Sequence, residues 1–304
     1  LLSEIARLVI EPGTPVVTSL GGYPTFNYHV NGFGGRLVTV PYVGDKEDLD
    51  GLLAAVKREN APLVYFANPD NPMGSWWDAD SVVAFARALP ETTLLILDEA
   101  YGETAPSGTI PPIEALIGQP NVLRMRTFSK AYGLAGARIG YAIGTLGNAQ
   151  AFDKIRNHFG MARVSVQAAI AALKDQAYLA DVIANISASR ERISRIAQSN
   201  GLLPLASATN FVTIDCGRDG THARAIVDGL MDHGVFIRMP GVAPLNRCIR
   251  ISVGPENDMA LLEEALPQVL IRPLTDQNPL AHSLRPIDMT RHGWLSSRRQ
   301  ASQQ

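Results

Sequence analysis

The chain has 304 residues, 46% hydrophobic and 18% charged, enough apolar material for a large core or two. A formal net charge of −2 gives no case for nucleic acid or an anionic membrane surface as partner, and no apolar run is long enough to span a bilayer. Cys216 and Cys248 are too few and too scattered for a disulfide framework or a zinc site. The six histidines include no pair at helical ligand spacing, so the expectation is a reducing cytoplasm and no metal.

Apolar residues at 1, 2, 5, 8 and 9 describe a helix already under way at the first residue, with no capping residue ahead of it. From Val16 to Gly144 strands and helices alternate. Strands are predicted at 16–19, 36–40, 63–67, 93–98, 122–127 and 138–143, and helices near 23–33, 48–59, 78–88 and 112–117. This alternation predicts an α/β fold, an αβα sandwich with a mainly parallel central sheet.

Three strand ends in this region carry polar groups suited to chemistry. The run 63–67 leads into Asn68-Pro69-Asp70-Asn71-Pro72-Met73-Gly74, where two Asn-Pro steps and a glycine force a rigid, turning backbone that can aim the Asn71 amide into a cleft. Four apolar residues precede Asp98, so its carboxylate is costly there unless something neutralises it, and Tyr101 follows closely. After Val122–Met125 comes Thr127-Phe128-Ser129-Lys130, crowded with small and hydroxyl residues and continuing to Arg138. Lys130 is one of five lysines, and the other four lie in polar surroundings. An amine so placed suits a lysine activated by desolvation to attack an aldehyde; a lysine snorkelling from a strand end is the plainer alternative.

Residues 150–175 are predicted to be further helix. A long helix follows from about 177 to 199, with Tyr178, Val182, Ile186, Ser189, Ile193 and Ile196 on one stripe and Gly201 as its stop. A small α+β domain then starts near 202. It comprises a strand at 210–214, a helix ending at Gly234, a strand at 235–238, the strand of Arg250, and a last helix opened by Pro255. Arg250 alternates with apolar residues and could face a cleft or solvent. Arg238, one strand away, could bind a second anionic group. After about 271 Pro, Ser, Gln and Arg dominate, which predicts a loose tail. The expected organisation is a large domain over 1–200, a small domain over 201–270 and a tail over 271–304.

Taken together, Asn-Pro-x-Asn-Pro-x-Gly, Asp98-Glu99-Ala100-Tyr101, the stretch from Thr127 through Lys130 to Tyr141, and Cys248-Ile249-Arg250-Ile251-Ser252-Val253-Gly254 resemble the fold-type I pyridoxal-phosphate enzymes. The likeness is greatest to class I/II aminotransferases of the histidinol-phosphate aminotransferase type, and it covers roughly residues 1 to 270. It implies that pyridoxal 5′-phosphate is the cofactor, that Lys130 forms the Schiff base and moves the proton, and that Asp98 partners the pyridinium nitrogen. Asn71 and Tyr101 match the pair bonded to the phenolic oxygen. Thr127, Ser129 and Arg138 match phosphate ligands. Phe26 falls where the family places a ring over the cofactor, although relatives nearest the histidinol-phosphate type usually have Tyr there. Arg250 matches the clamp on the substrate α-carboxylate; Arg238 and Arg163 are candidates for further substrate contacts from their own positions, and around Arg163 the sequence departs from the histidinol-phosphate pattern. The family's glycine- and serine-rich segment ahead of the first helix is expected to be missing.

The expected activity is transamination between an α-amino donor (histidinol phosphate or a hydrophobic or aromatic amino acid) and a 2-oxo acid, by a homodimer. A decarboxylase or lyase on the same scaffold, and a catalytically silent truncated module, are the alternatives.

Overall fold

The structure, a computed structural model, describes residues 1–157 and 159–271. The expected tail therefore lies outside the described residues, save for Ile271.

The order of elements explains where a site can form. Helix α1 (Leu2–Val9), strand β1 (Pro15–Ser19), α2 (Pro24–Gly32), β2 (Arg36–Val40), α3 (Leu49–Glu59), β3 (Leu63–Ala67), α4 (Ala79–Ala88), β4 (Leu94–Asp98), α5 (Ile113–Leu116), β5 (Val122–Thr127) and β6 (Gly140–Ile143) make up the first half. Their sheet runs β2-β1-β3-β4-β5-β6, parallel from β2 to β5 and antiparallel only at β6. Strand order reverses between β1 and β3, and at such a reversal a crevice opens beyond the carboxyl ends of the strands.

Period-two alternation within these strands builds two cores, one on each face. Val16, Leu63, Tyr65, Ile96, Leu123 and Met125 face Ile5, Ala6, Phe26 and Val30 of α1 and α2. Val17, Val64, Phe66, Leu95, Leu97 and Val122 face Leu52, Val56, Val82 and Phe85 of α3 and α4. This is the expected αβα sandwich. Asp48 and Asp78 start α3 and α4 by accepting the N–H groups of Gly51 and Ser81, the usual role of an aspartate at the N-cap.

The remainder comprises α6 (Leu146–Asp153), α7 (Arg163–Lys174), α8 (Gln176–Ser199), β7 (Leu203–Pro204), β8 (Phe211–Asp215), α9 (Gly220–Asp232), β9 (Cys248–Ser252) and α10 (Glu256–Ile271). Strands β7, β8 and β9 form an antiparallel sheet, with the buried faces of α8, α9 and α10 packed together with it.

Several local expectations are corrected. The helical stretch 150–175 is shared by two helices, α6 ending at Asp153 and α7 starting at Arg163. Strand β6 starts at Gly140, not 138, because Arg138 sits in the left-handed region at φ 51°. Residues 235–238 make only the single bridge Arg238↔Arg250 and no strand. Tyr178 is 56% exposed, and the neighbouring Leu179 takes its place on the buried stripe of α8.

Two polar features inside the fold had no signal in the sequence pattern. Arg124 on β5 is buried against Glu99 at 2.8 Å and donates to the carbonyls of Pro111 and Pro112. Arg190 of α8 donates to the carbonyls of Thr104, Ser207 and Thr209, tying the long helix to both halves. No helix of the described residues is long and apolar enough to cross a membrane.

Candidate active site

The carboxyl ends of the parallel strands deliver the polar groups to one place. Tyr23 follows β1, Asn71 follows β3, Asp98 ends β4 and Lys130 follows β5. Lys130 stands in a turn closed by Gly133 N–H donating to its carbonyl at 2.9 Å, with Gly133 at φ 69°. Its Nζ lies 4.9 Å from the centroid of the Tyr101 ring. Burial lowers the ammonium pKa. The Tyr23 hydroxyl and Asp98 oppose that shift, while Arg250 and Arg138 add to it.

Asp98 is held at both oxygens. Oδ2 accepts the Tyr65 hydroxyl at 2.7 Å and Oδ1 accepts the Ala100 N–H at 3.0 Å. Burial raises its pKa, and those two donors and the Lys130 charge pull it back. Tyr101 is 5% exposed and meets Phe211 edge-on at 5.5 Å. Burial raises its phenol, so it stays a hydroxyl that can donate.

The second sheet brings Arg250 to the same place. Its Nη1 donates to Asn71 Oδ1, its guanidinium lies 4.8 Å over the Phe211 ring, and its Nε is buried with no partner among the described residues. Burial lowers its pKa, yet a guanidinium keeps its charge. An orphaned buried donor on a cation marks a place where an anion fits. Arg238 is bonded to Arg250 through both backbone groups and is exposed, its guanidinium 4.6 Å from the Phe236 ring.

Near Lys130, the Thr127 and Ser129 hydroxyls are 3.0 Å apart, and the Ser129 N–H donates to Thr127 Oγ1. Arg138 is exposed and donates from Nη1 to the Ala135 carbonyl at 2.8 Å. It lines a cavity of about 270 Å³ with Gly136, Ile139, Gly160 and Ser165.

Two expected residues stand apart from this group. Phe26 is 0% exposed and stacks on Tyr65 at 4.9 Å inside the core, so its ring has no free face for a cofactor. Pro24 starts α2, which turns Phe26 inward and leaves Tyr23, at the N-cap, on the site side. Arg163 opens α7, exposed, and its side chain has no hydrogen bond or ion pair among the described residues. Sequence reasoning missed Tyr23 and Tyr65. The only signal for Tyr65 was one hydroxyl within an apolar strand, and for Tyr23 an aromatic residue just ahead of a helix-opening proline.

A buried carboxylate and an amine of lowered pKa, each acting on the other beyond the parallel strand ends of an αβα sandwich, define the site of an enzyme. The family profile described as aminotransferase class I and II matches residues 1–269, and the chain belongs to that family of pyridoxal-phosphate-dependent enzymes. Among solved structures it is similar to histidinol-phosphate aminotransferase from Sinorhizobium meliloti in complex with pyridoxal-5′-phosphate. That pair shares 73% identity and a TM-score of 0.88, covering 88% of this chain and 73% of the other. It is 33% identical to histidinol-phosphate aminotransferase 2 of Pseudomonas fluorescens (strain Pf0-1) over 273 residues, 90% of this chain and 73% of that one. Against histidinol-phosphate aminotransferase of Staphylococcus haemolyticus it is 35% identical over 261 residues, 85% of this chain and 71% of that protein.

The side chains present fit such a cofactor. Asp98 offers a buried carboxylate to a protonated ring nitrogen, Lys130 an amine of lowered pKa, and Thr127, Ser129 and Arg138 two hydroxyls and a guanidinium for a phosphate.

Proposed function

We propose that this aminotransferase takes histidinol phosphate as its amino donor and a 2-oxo acid as acceptor, with Lys130 as the amine that binds the cofactor and carries the proton. One observation carries the substrate assignment. Arg250 presents a buried, unpartnered Nε, and Arg238, whose backbone pairs with that of Arg250, adds a second positive charge that acts on it. Two arginines suit a phosphate dianion better than a single carboxylate. Histidinol phosphate has no α-carboxylate, so the Arg250 guanidinium takes its phosphate in one half-reaction and the α-carboxylate of the acceptor in the other. The 73% identity with the Sinorhizobium meliloti enzyme supports this reading.

Pyridoxal phosphate, when bound, supplies an electrophilic aldehyde and a ring that draws electrons from the substrate carbon. The chain supplies the rest. Asp98, oriented by Tyr65 and Ala100, holds the proton on the ring nitrogen. The Asn71 amide and the Tyr101 hydroxyl would hold the phenolic oxygen. Thr127, Ser129 and Arg138 hold the phosphate. Lys130, in a partly buried turn that limits hydration, takes the proton from the carbon bearing the amino group and returns it one atom away.

The segment 201–270 acts as a small domain that brings Arg250 against Asn71 and excludes water. Leu146, Phe159, Met161 and Val164 are all more than 60% exposed, apolar surface suited to a second copy of the chain in a homodimer. A cytoplasmic setting goes with the two scattered, reduced cysteines.

The test is turnover of histidinol phosphate against phenylalanine and tyrosine, in the parent and in Arg250→Ala. Losing charge-assisted hydrogen bonds to the phosphate is expected to raise KM for histidinol phosphate by about 10- to 100-fold. Faster turnover of an aromatic amino acid than of histidinol phosphate would sink the substrate assignment.

A further inference from the structure

Behind Asn71 lies a buried acidic cluster with no part in the chemistry assigned above. The segment between β2 and α3 carries Tyr42 and Glu47 beneath the loop 68–74. The Tyr42 hydroxyl donates to Asp70 Oδ1 at 2.9 Å and the Met73 N–H to Asp70 Oδ2 at 3.1 Å. Glu47 Oε2 accepts the Ala67 N–H at 3.1 Å, and the Glu47 carbonyl accepts the Trp77 indole N–H at 2.9 Å. Asp70 and Glu47 are each 2% exposed, and neither forms a salt bridge among the described residues.

Asp70 is covalently next to Asn71, whose side-chain oxygen receives Arg250. It is also the carboxylate whose charge acts on that guanidinium, alongside Tyr101, Arg238 and Tyr23. We propose that Asp70 is a positioning residue for the substrate's anionic group: it fixes the loop that offers Asn71 to Arg250, and its charge, governed by Tyr42 and Glu47, sets how strongly Arg250 attracts an anion. This rests on Arg250 being the substrate's anion site.

The electrostatics of the cluster say which group titrates. Two carboxylates buried together cannot both ionise cheaply. Burial, with Asp70 adding to it, raises Glu47 well above the usual carboxylate range, so Glu47 keeps its proton. Burial also pushes Asp70 up to about 7, against the Met73 and Asn71 N–H groups, the Tyr42 hydroxyl and Arg250, which favour its charged form. The titratable and charged groups facing it are Tyr42 and Glu47 from the β2–α3 segment, Tyr101 from beyond β4 and Arg250 from β9. Burial keeps the Tyr42 phenol protonated. Below neutrality Asp70 is uncharged and Arg250 presents its full charge. Above it, the carboxylate offsets part of that charge and the site holds an anion less tightly.

The experiment is calorimetric titration of the holoenzyme with inorganic sulfate, a dianion throughout the range from about pH 6 to 9, with Arg250→Ala as the blank. In the parent the sulfate Kd is expected to rise about fivefold or more on passing through neutrality. Asp70→Asn, nearly isosteric, flattens that rise. Tyr42→Phe removes a donor that favours the ionised form, so it moves the midpoint to higher pH. A merely structural loop would weaken binding equally at every pH. A rise that persists in Asp70→Asn, a parent Kd that does not vary with pH, or no sulfate binding that Arg250→Ala abolishes would each overturn the proposal. Failure to turn over histidinol phosphate, with these sulfate curves intact, would sink the substrate assignment and leave the role of Asp70 standing.

Discussion

Asp98 works only while it is ionised, and its surroundings oppose that. Burial raises its pKa, and the Tyr65 hydroxyl, at 2.7 Å, is the largest of the forces pulling it back. Tyr65→Phe removes that donor without opening a cavity. A hydrogen bond to a charged group contributes about 1.5–3 kcal/mol, so the acid limb of the pH–rate profile should move up by about one to two pH units. An unmoved acid limb would mean that Tyr65 does not support Asp98. Asp98 itself was legible in the sequence because a carboxylate closing an apolar strand needs a partner, and Lys130 because it stood apart from the other lysines. Tyr65 was not, since its neighbours on β3 are apolar and the contact with Asp98 spans two strands. Tyr23 and Phe26 were confused for a related reason: three positions apart at a helix start, one faces the crevice and the other the core, and composition does not say which.

At the scale of elements, strands were easier to read than the connections between them. Each parallel strand is an apolar run ended by a turn, so its bounds follow from the sequence. The segment 235–238 is as apolar as a strand yet makes only one bridge, so its tertiary partners and not its composition decide its form. The turn holding Lys130 is such a connection, joining β5 to its one antiparallel neighbour, β6. Gly140 pairs with Thr127 there, and a Cβ on it would fall 2.6 Å from the Arg126 carbonyl oxygen. Backbone cannot retreat as a flexible side chain can, so Gly140→Ala must push β6 away from β5. Overpacking of this kind costs about 1–3 kcal/mol. The expected outcome is a Tm lower by several degrees together with weaker cofactor affinity, because Thr127 and the Lys130 turn move with the strand. Thermal unfolding and a cofactor titration check the two halves; a variant with parent-like values in both would contradict this strand pairing.

Across the whole molecule, buried carboxylates set how stability responds to pH. Glu47, Asp70, Asp98 and Glu103 all have raised pKa values, each with burial as the largest cause. A raised carboxyl pKa means that the folded chain binds more protons than the unfolded chain between the two values. Stability then falls as pH rises through that window. The window opens at about 4, where free carboxylates titrate, and for Asp70 it closes near neutrality. His222 pulls the other way, because burial lowers its pKa and folding therefore favours its neutral form, but it is one group and only partly buried. Glu59 and Asp78, held down by their hydrogen-bond donors, lie near the surface and add stability only above the carboxylate range. The carboxylates outnumber these opposing groups in the interior. Tm should therefore be highest on the acid side of neutrality and decline toward about pH 8, the reverse of a protein stabilised by buried ionised acids. Glu47→Gln, which fixes the neutral form of one member, should flatten the decline, read by calorimetric unfolding across this range at constant ionic strength. A Tm that climbs steadily from about pH 5 to 8 would show that Glu47 and Asp70 are charged in the folded chain, and the charge balance assigned to that cluster would then be wrong.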